Sequence, residues 1–403
     1  MNISYVSSSW IPSKYANSVN VMKMCQGFSR LGHHVELHAP ASRGVESDIE
    51  IFGYYGISDR FILRKHFAPA YPAVPGRIIY AFGCAHGLRQ AAPHLVYGRD
   101  WPALLMAANL GFSVVLELHA PAPERGGKLS LFKQLARSKR LVRLVVNSEN
   151  LYANVAGAFP EVRERLVMAR NGADPVPTDD DRPPPIARTD GRMMVGYIGH
   201  LYPGRGMEIL GDFARRCDWA DFHVVGGWPE DVALWKDRLK DEPNIVFHGH
   251  VAPSEVPRYL RALDVLIAPY QPVVTLHGGV GDNSQWVCPL KLFDYMAAGK
   301  PIICSDHPVI RETVEHEQDA LICAPTDVAG WAAALTRLRY HPELSSDIAR
   351  NALDKFTKHY SWEARAARVL DGLSVAATQA ADQPRARYAS ARALKKDENQ
   401  PFN

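Results

Sequence analysis

The stretch that most constrains the fold of this chain runs from Cys288 to Asp306 and reads CPLKLFDYMAAGKPIICSD. Its first half predicts a helix that begins at Pro289, because apolar residues recur there at intervals of three and four positions. These residues are Leu292, Tyr295, Met296 and Gly299. Gly299 can end the helix in the left-handed conformation, and Pro301 cannot continue it. The apolar run Ile302 to Cys304 then predicts a buried parallel strand, and hence an α/β fold.

Two polar residues of this helix point to a ligand. Lys291 and Asp294 lie three positions apart, so they share one face near the helix start. A helix start attracts anions, a lysine adds a point charge for a phosphate, and a carboxylate one turn later can accept hydrogen bonds from sugar hydroxyls. The pair therefore predicts a seat for a nucleoside diphosphate. The alternative is a salt bridge between the two residues on a solvated face.

Length and composition narrow the class of protein. A chain of 403 residues predicts two domains, each with its own core. Apolar residues make up 47% and charged residues 22%, as in soluble globular proteins, and a net charge of +3 gives no argument for nucleic acid. Six cysteines without a CxxC pair or zinc spacing predict reduced, buried, structural thiols. The opening segment lacks signal-peptide features, and no apolar run approaches the ~20 residues that span a bilayer, so we expect a cytoplasmic protein.

The order of elements predicts two similar domains. Residues 2–38 read as strand, loop, helix and strand, the opening of a doubly wound sheet, and the loop carries no GxGxxG dinucleotide fingerprint. Residues 174–191 are rich in proline and acid and predict a linker. The alternation of strands and helices restarts at Met194. We therefore predict two Rossmann-like domains that face each other across a cleft.

A glycine-rich loop supplies a second candidate site. Residues 199–206, GHLYPGRG, follow a strand and open a helix. Glycines allow the backbone to approach a ligand closely, and Arg205 could reach a diphosphate with two N–H groups. A glycine-rich turn with a solvated arginine is the alternative. Because Arg205 and Lys291 follow different strands of one domain, both could face the same cleft.

Two further features of the first domain carry open alternatives. His119 follows the strand at 113–118, at the carboxyl end where ligands bind in open α/β sheets, although a lone histidine is more often structural. Residues 125–143 contain seven Lys/Arg, no acid and interleaved leucines. Such a basic amphipathic helix can lie on an anionic membrane surface at the inner face. A solvated helix face with an ordinary core stripe is the alternative.

These motifs together resemble one known family. The segment PLKLFDYMAAGKPIICSD, with VGYIGHLYPGRG, NIVFHGHV, RNG at 170–172 and YSWE at 360–363, resembles the family-4 glycosyltransferases over about residues 1–373. The resemblance implies an α/β fold of the GT-B type, with two Rossmann-like doubly wound domains facing across a cleft. It implies an N-terminal acceptor-side domain, a linker, a C-terminal nucleotide-sugar domain, a helix crossing back to the first domain and a polar tail, at 1–174, 175–192, 193–358, 359–375 and 376–403.

The resemblance also implies an activity. Members of the family transfer a sugar, with retention, from a nucleotide-diphospho-sugar to an acceptor hydroxyl, and we expect a hexosyltransferase of glycan, glycolipid or glycoconjugate biosynthesis. UDP is the first expectation for the donor nucleotide and GDP the second. The acceptor is a carbohydrate or lipid-linked molecule, and no nucleic acid partner is expected. The resemblance implies no cofactor and no obligatory metal, and no DxD motif stands in a suitable place, since Asp179-Asp180-Asp181 lies in the linker.

The family's functional positions map onto the cleft residues. Asp294 matches the residue that binds the ribose hydroxyls, and the resemblance implies catalytic roles for His119, Arg205 and Lys291. His119 matches a first-domain histidine near the reacting sugar, and Arg205 matches the basic residue that holds the diphosphate. The implied nucleotide-binding set is Gly199, His200, Arg205, Lys291, Leu292 and Asp294.

The chain departs from the family pattern in two places. Trp286 stands eight residues before Asp294, where the family has a glutamate, so we expect the donor sugar to be met by Asp282, Asn283 or Ser284. The first-domain loop carries YANS at 15–18 in place of Gly-Gly. A nucleotide-sugar epimerase, a hydrolase or a non-catalytic sugar-nucleotide-binding protein of the same fold is therefore the alternative.

Overall fold

The structure is a computed structural model. It describes residues 1–41, 47–69, 71–275, 281–286 and 288–373. The tail expected at 376–403, and the glycines at 278 and 279 expected in the donor loop, lie outside the described residues.

The first half of the chain forms a seven-stranded parallel sheet. Its strand order is β3-β2-β1-β4-β5-β6-β7. The strands are β1 (Asn2–Val6), β2 (His34–Pro40), β3 (Ile62–His66), β4 (Leu95–Gly98), β5 (Val114–Leu118), β6 (Leu141–Val146) and β7 (Leu166–Met168). The connecting helices are α1 (Ala16–Arg30), α2 (Asp48–Tyr55), α3 (Val74–Ala91), α4 (Trp101–Asn109), α5 (Gly126–Arg137) and α6 (Glu149–Ala158), followed by a 3-10 turn at Pro160–Arg165.

The second half repeats this plan with a six-stranded parallel sheet. Its strand order is β10-β9-β8-β11-β12-β13. The strands are β8 (Met193–Ile198), β9 (Ala220–Val225), β10 (Ile245–Gly249), β11 (Val265–Ala268), β12 (Ile302–Ser305) and β13 (Leu321–Cys323). The helices are α7 (Met207–Arg216), α8 (Pro229–Arg238), α9 (Val256–Ala262) after a 3-10 turn at Pro253–Glu255, α10 (Leu290–Ala297), α11 (Pro308–Arg311), α12 (Val328–Tyr340), α13 (Pro342–His359) and α14 (Trp362–Leu370). Both sheets are doubly wound, which confirms the predicted fold class.

The strand order of each sheet creates a crevice at the point where the chain changes direction. In the first sheet this point lies between β1 and β4, and in the second between β8 and β11. Ligands of doubly wound sheets bind beyond the carboxyl ends of the strands at such points. The residues that follow these strands are therefore the ones the fold exposes to a ligand.

The last helix belongs to the first domain, although it follows the second. The α14 residues Trp362, Ala366 and Val369 are buried in the core that α1, α2 and the first sheet form. The α1–α14 contact is so close that Gly27 has no room for a side chain, because a Cβ there would lie 2.7 Å from the carbonyl oxygen of Trp362. The resemblance had implied this return of the chain.

The segment at residues 288–306 folds largely as expected. Leu292, Tyr295 and Met296 are fully buried, and Gly299 has the left-handed backbone (φ 59°) that ends the helix. Pro289 caps α10 instead of occupying its first turn. All six cysteines are free; four are buried, whereas Cys288 and Cys323 are only half-buried.

Several helices and one strand were not predicted from the sequence. The helix α2 and the strand β3 fill a region that gave no readable period, because α2 has only eight residues and β3 (ILRKH) is apolar only in its first half. The helices α6 and α13 were also missed. Among the described residues, no helix combines the length and the apolar character that crossing a bilayer would require.

The tight α1–α14 contact gives a first prediction. Gly27→Ala should lower the free energy of unfolding by ~1–3 kcal/mol, because the new methyl group must push α14 away. Gly157→Ala in α6 is the matched control, since a Cβ there meets nothing within 4 Å. That change should be neutral or stabilise by up to ~1 kcal/mol. Urea unfolding of both variants measures the difference, and equal behaviour would refute the contact.

Candidate active site

One large cavity lies between the two sheets, at the carboxyl ends of their central strands. Its volume is about 1590 Å³, and residues of both domains line it. Seven of the ten residues predicted for the site reach it: Gly199, His200, Arg205, Lys291, Asp294, His119 and Asn283. The residues that follow β5, β8 and β11 contribute to the wall, as the switch-point rule requires.

Three side chains of the second domain each place a buried nitrogen without a hydrogen-bond partner at this cavity, among the described residues. These atoms are Nδ1 of His200, Nε of Arg205 and Nζ of Lys291. A buried polar group without a partner destabilises a protein, and the penalty is largest for a charged group. Convergence of three such groups on one cavity wall indicates a site shaped for an anion.

Lys291 lies deepest in this wall. Its Nζ sits 3.7 Å from the ring centroid of Tyr197 and 5.0 Å from that of Tyr270, so aromatic faces are its nearest neighbours. Burial lowers the pKa of this ammonium well below its ordinary value, and the neighbouring Arg205 lowers it further. Because Nζ is buried and bonded to nothing, the salt bridge with Asp294 on a solvated face, which was the alternative, does not exist.

The backbone of Gly199 makes room for Lys291. Gly199 has φ 150°, and a Cβ at this position would lie 3.0 Å from both Cε and Nζ of the lysine. The glycine-rich loop therefore lets the β8 end and the α10 lysine approach each other. This contact joins two motifs that stand more than 90 positions apart in the sequence.

Arg205 and His200 lie beside Lys291 on the same wall of the cavity. The guanidinium of Arg205 lies 5.2 Å from the ring centroid of Tyr270 and donates to the carbonyl oxygen of Thr275 at 3.3 Å. His200 stacks on Tyr202 at 4.9 Å between ring centroids. Burial lowers the pKa of His200 to about 4, and Arg205 adds to the effect, so the ring is neutral at pH 7. The solvated arginine that was the alternative for this loop is therefore not observed.

Asp294 lines the same cavity one turn beyond Lys291. Burial raises the pKa of its carboxyl to about 7, and the nearby carboxylate of Asp174 also raises it, while Lys23 acts in the opposite direction. The carboxyl group can therefore change its charge near neutral pH. The backbone N–H of Leu292, a predicted phosphate ligand, already donates to the carbonyl oxygen of Pro289 at 3.1 Å and is not free for one.

His119 lies on the opposite, first-domain wall. Its side chain is 19% exposed, and its Nε2 contacts the Oε1 of Glu117 in a short hydrogen bond. Burial lowers the pKa of His119 to about 4 and Arg99 adds to this, although Glu117 opposes it. At pH 7 the neutral ring therefore donates Nε2–H to Glu117 and keeps Nδ1 as an acceptor.

Glu117 is itself held by a buried network. Its carboxylate accepts from Arg365 Nη2 at 2.8 Å and from the hydroxyl of Tyr97, and both Glu117 and Arg365 are almost fully buried. Burial alone raises the pKa of Glu117, but Arg365, His119 and Arg99 outweigh burial and keep that pKa well below its ordinary value. The C-terminal helix α14 thus reaches across the first domain and orients the histidine through one carboxylate.

The first-domain loop that lacks Gly-Gly carries a polar contact in its place. Asn17, in the first turn of α1, accepts a short hydrogen bond from Arg99, which follows β4. Asn17 also donates to the hydroxyls of Ser8 and Ser9. Arg99 and Asn17 both line the cavity, so an arginine stands close to His119 on this wall.

Of the three loop residues expected to contact the donor sugar, only one lines the cavity. Asn283 lines the cavity, and the structure does not bring Asp282 and Ser284 to it. The carboxylate of Asp282 instead accepts from the backbone N–H groups of Ser284 and Val274 and so shapes its own loop. Trp286, at the position of the family glutamate, lines the cavity and packs against the core of the first domain.

Sequence reasoning missed Glu117, Arg99, Tyr197, Tyr270 and Arg365. Glu117 had a readable signal, because a single carboxylate inside the apolar run VVLEL must find a buried partner. Arg365 had none, since only the packing of α14 brings it there. Among the described residues, no group of three or more His, Cys, Asp and Glu could hold a metal ion. Metal independence stays a prediction.

Comparisons with known proteins agree with this geometry. Residues 18–176 match the sequence profile described as Glycosyltransferase Family 4, and residues 192–340 match the profile of Glycosyl transferases group 1. A Bacillus subtilis glycosyltransferase assigned to teichuronic acid biosynthesis is 26% identical over 200 residues, 47% of this chain and 48% of the relative. A glycogen synthase of Mycobacterium tuberculosis is 26% identical over 302 residues, 68% of this chain and 67% of the relative.

Solved structures show the same architecture. Sucrose-phosphate synthase from Thermosynechococcus elongatus superposes with a TM-score of 0.69 at 16% identity, covering 92% of this chain and 98% of that one. At this identity the likeness concerns the fold, which is the GT-B arrangement. The matched segment spans about half the length of the Bacillus subtilis relative.

The buried state of His119 gives a second prediction. Its pKa is about 4 in the folded protein and ~6.5 in the unfolded chain. Between these values the unfolded chain binds more protons, so the free energy of unfolding rises with pH by up to ~1.4 kcal/mol per pH unit from this residue. His119→Asn should remove that part of the slope. His341→Asn, at an exposed histidine, is the control and should leave the slope of urea-derived stability against pH unchanged.

Proposed function

We propose that this chain, which belongs to the family-4 glycosyltransferases, transfers a sugar from a nucleotide-diphospho-sugar to an acceptor hydroxyl. The observation that carries the proposal is the set of unpartnered basic nitrogens of His200, Arg205 and Lys291 on one wall of the cavity. A diphosphate bound there would give the nitrogens of Arg205 and Lys291 an acceptor and would relieve the penalty of burying them.

The same groups account for catalysis. When the bond between the sugar and the diphosphate breaks, negative charge grows on the leaving phosphate. Arg205 and Lys291 already line the cavity, so they stabilise that charge without reorganising. Diphosphate binding also restores the positive charge that burial disfavours on Lys291. His119 and the acceptor meet the sugar from the opposite wall, and closure of the cleft excludes water.

The remaining details of the reaction are parts of the same proposal. Asp294 accepts hydrogen bonds from the ribose hydroxyls, UDP is the first candidate for the nucleotide and GDP the second, and the transfer proceeds with retention and without an obligatory metal. Asn283 is the member of the donor loop that the cavity geometry supports as a contact to the sugar. The acceptor is a carbohydrate or a lipid-linked molecule.

One observation favours a second candidate function. Trp286 stands where the family places a glutamate, and Asp282 and Ser284 do not reach the cavity, so the described residues of this loop offer no charged ligand for the donor sugar. A nucleotide-sugar hydrolase, an epimerase or a binding protein does not orient the donor sugar toward an acceptor hydroxyl. Such a protein would therefore need fewer contacts to the sugar. Release of free nucleotide at a catalytic rate without any acceptor would favour hydrolysis.

A thermal-shift screen tests the diphosphate site directly. The purified protein is heated with UDP, GDP, ADP, CMP and dTDP. A ligand at 100 times its dissociation constant stabilises the fold by ~2.7 kcal/mol, enough to raise the melting temperature measurably. A large shift with one nucleoside diphosphate supports the proposal and names the donor nucleotide. No shift with any of them would contradict it.

Replacement of Lys291 gives a third prediction, in which the stability of the ligand-free protein increases while nucleotide binding and activity decrease. Lys291→Met should raise the melting temperature of the ligand-free protein, because it removes a buried amino group that has no hydrogen-bond partner and keeps an apolar stem. The same change should abolish the nucleotide-induced shift and lower kcat/KM by ~100-fold or more. The matched control is Lys300→Met, since Lys300 Nζ already donates to the carbonyl oxygen of Arg261 at 3.3 Å. Loss of ligand-free stability in Lys291→Met would contradict the unpartnered amino group.

Asp294 gives a fourth prediction, on pH dependence. Its pKa of about 7 means that the empty site carries a partly protonated carboxyl at neutral pH. Because ribose hydroxyls donate to the ionised form, nucleotide affinity should rise as the pH increases from ~6 to ~8, by up to ~10-fold per pH unit below the pKa. Asp294→Asn should lack this rise. Titration calorimetry measures the affinity of both proteins for the same nucleotide over this pH range. Protonation of the nucleotide itself affects both proteins equally and drops out of the comparison. Parallel pH profiles of wild type and variant would refute the role of Asp294 in binding the ribose.

A further inference from the structure

The first-domain wall of the cavity carries more positive than negative side chains. Its cations are Lys14, Lys23, Arg77, Arg99 and Lys128, and its carboxylates are Glu117 and Asp174. The diphosphate proposed above binds to the opposite wall, so these groups face the acceptor. The partners of these side chains therefore show which charge the acceptor half of the cavity offers to a ligand.

Both carboxylates of this wall are already engaged by cations of the protein. Asp174 accepts from Lys23 Nζ at 2.5 Å and from Arg30 Nη1 at 3.2 Å. Glu117 accepts from Arg365 Nη2 at 2.8 Å within the buried network described above. Neither carboxylate is therefore available to neutralise a further cation of the wall.

The cations of the wall divide into paired and unpaired groups. Lys23 pairs with Asp174, and Arg77 Nη1 lies 3.6 Å from the buried carboxylate of Asp100. The cavity cations that form no ion pair with any described residue are Lys14, Arg99 and Lys128. The acceptor half of the cavity therefore carries positive charge that no carboxylate of the described chain compensates.

One of these cations comes from the basic segment at residues 125–143, for which a membrane contact was expected. Phe132, Leu135 and Ala136 of this segment are buried, so its apolar stripe belongs to the core, as in the alternative to a surface-lying helix. Lys128, near the start of α5, lines the cavity. Contact of this segment with a membrane stays a prediction.

Arg99 is held in the wall by neutral groups. It follows β4, next to the switch point of the first sheet, and its backbone N–H donates to the carbonyl oxygen of Val6 at 3.3 Å. Its Nη1 donates to Oδ1 of Asn17 in a short hydrogen bond, and the Asn17 amide donates in turn to the hydroxyl of Ser8 at 3.4 Å. A neutral amide orients the guanidinium without cancelling its charge, and it uses only one of the N–H donors of that group.

Arg99 also stands close to the residue expected to meet the reacting sugar. Burial lowers the pKa of His119 to about 4, and the charge of Arg99 is the next cause of this shift. Trp101 and Pro102, which begin α4, line the same wall. An anion bound at Arg99 would therefore lie beside His119 and near apolar surface, where charge-assisted hydrogen bonds are stronger than in water.

We propose that the acceptor carries an anionic group, a phosphate or a carboxylate, and that Arg99 binds this group and so determines acceptor specificity. The planar fork of N–H donors matches the oxygens of either group. Lys14 and Lys128 attract the same group at longer range. This inference rests on the proposed function, since it assigns a chemical class to the acceptor on the wall opposite the nucleotide.

Matched neutral and charged probes test the inference on the full chain. The probes are glycerol with glycerol phosphate, and glucose with glucose-6-phosphate and glucuronate. Titration calorimetry measures their affinities with and without the nucleoside diphosphate that the thermal-shift screen identifies. We expect a charged probe to bind ~10-fold or more tightly than its neutral partner, and the phosphate and carboxylate probes tell which group is preferred. Equal affinities within every pair, or binding of no probe, would overturn the inference.

Variants of Arg99 show whether this residue causes the preference. Arg99→Gln should weaken binding of the charged probes by ~10-fold and leave the neutral probes unaffected, because it removes only the charge-assisted contact. Arg99→Lys keeps the charge without the planar fork and should give an intermediate affinity. The matched control is Arg89→Gln, at an exposed arginine of α3 outside the cavity, which changes the net charge equally and should bind as wild type.

Two outcomes with these variants would count against a direct contact. An equal loss of charged and neutral probes in Arg99→Gln would show that Arg99 only shapes the wall. If Arg99→Gln does not fold, Arg99→Lys decides, because a preference for charged probes equal to that of wild type would contradict the bidentate contact.

The nucleotide-induced rise in melting temperature separates this inference from the proposed function. It should be the same in wild type, Arg99→Gln and Arg99→Lys, because the nucleotide binds to the opposite wall. Its loss in Arg99→Gln alone would assign Arg99 to the donor diphosphate and overturn the inference. Its absence in every protein would sink the proposed function, whereas a preference for charged probes measured without nucleotide would still locate an anion site at Arg99.

Discussion

A lysine amino group that is held out of water without a hydrogen-bond partner is the feature on which the cavity wall of the second domain depends. Lys291 lies between Tyr197 and Tyr270, beside Arg205, and its Nζ bonds to nothing among the described residues. A protein tolerates such a group only if the surrounding fold holds it in place. Here the first turn of α10, the glycine-rich loop after β8 and the end of β11 meet at the lysine. Three segments of the second domain thus converge on one basic wall of the cavity.

In the first domain, by contrast, the buried charged groups have partners. Glu117 and Arg365 are almost fully buried and satisfy each other, and Tyr97 and His119 complete the network. A buried pair of this kind gives little net stability, but breaking it leaves an uncompensated charge. It therefore holds α14 and His119 in one arrangement. The buried carboxylate of the first wall therefore has a charged partner, whereas the Nζ of Lys291 on the second wall has no hydrogen-bond partner among the described residues.

Local patterns in the sequence specify the fold class and most of the cavity wall on which Arg205 and Lys291 lie. The periods of α10 and β12, and the glycine-rich loop that opens α7, fix both the elements and the strand ends at which Arg205 and Lys291 stand. Only the tertiary structure decided which polar groups have partners. It paired Glu117 with Arg365 across 248 positions, turned Asp282 into its own loop and buried the apolar stripe of α5. Partnership and burial are set by segments distant in sequence, and no local period records them.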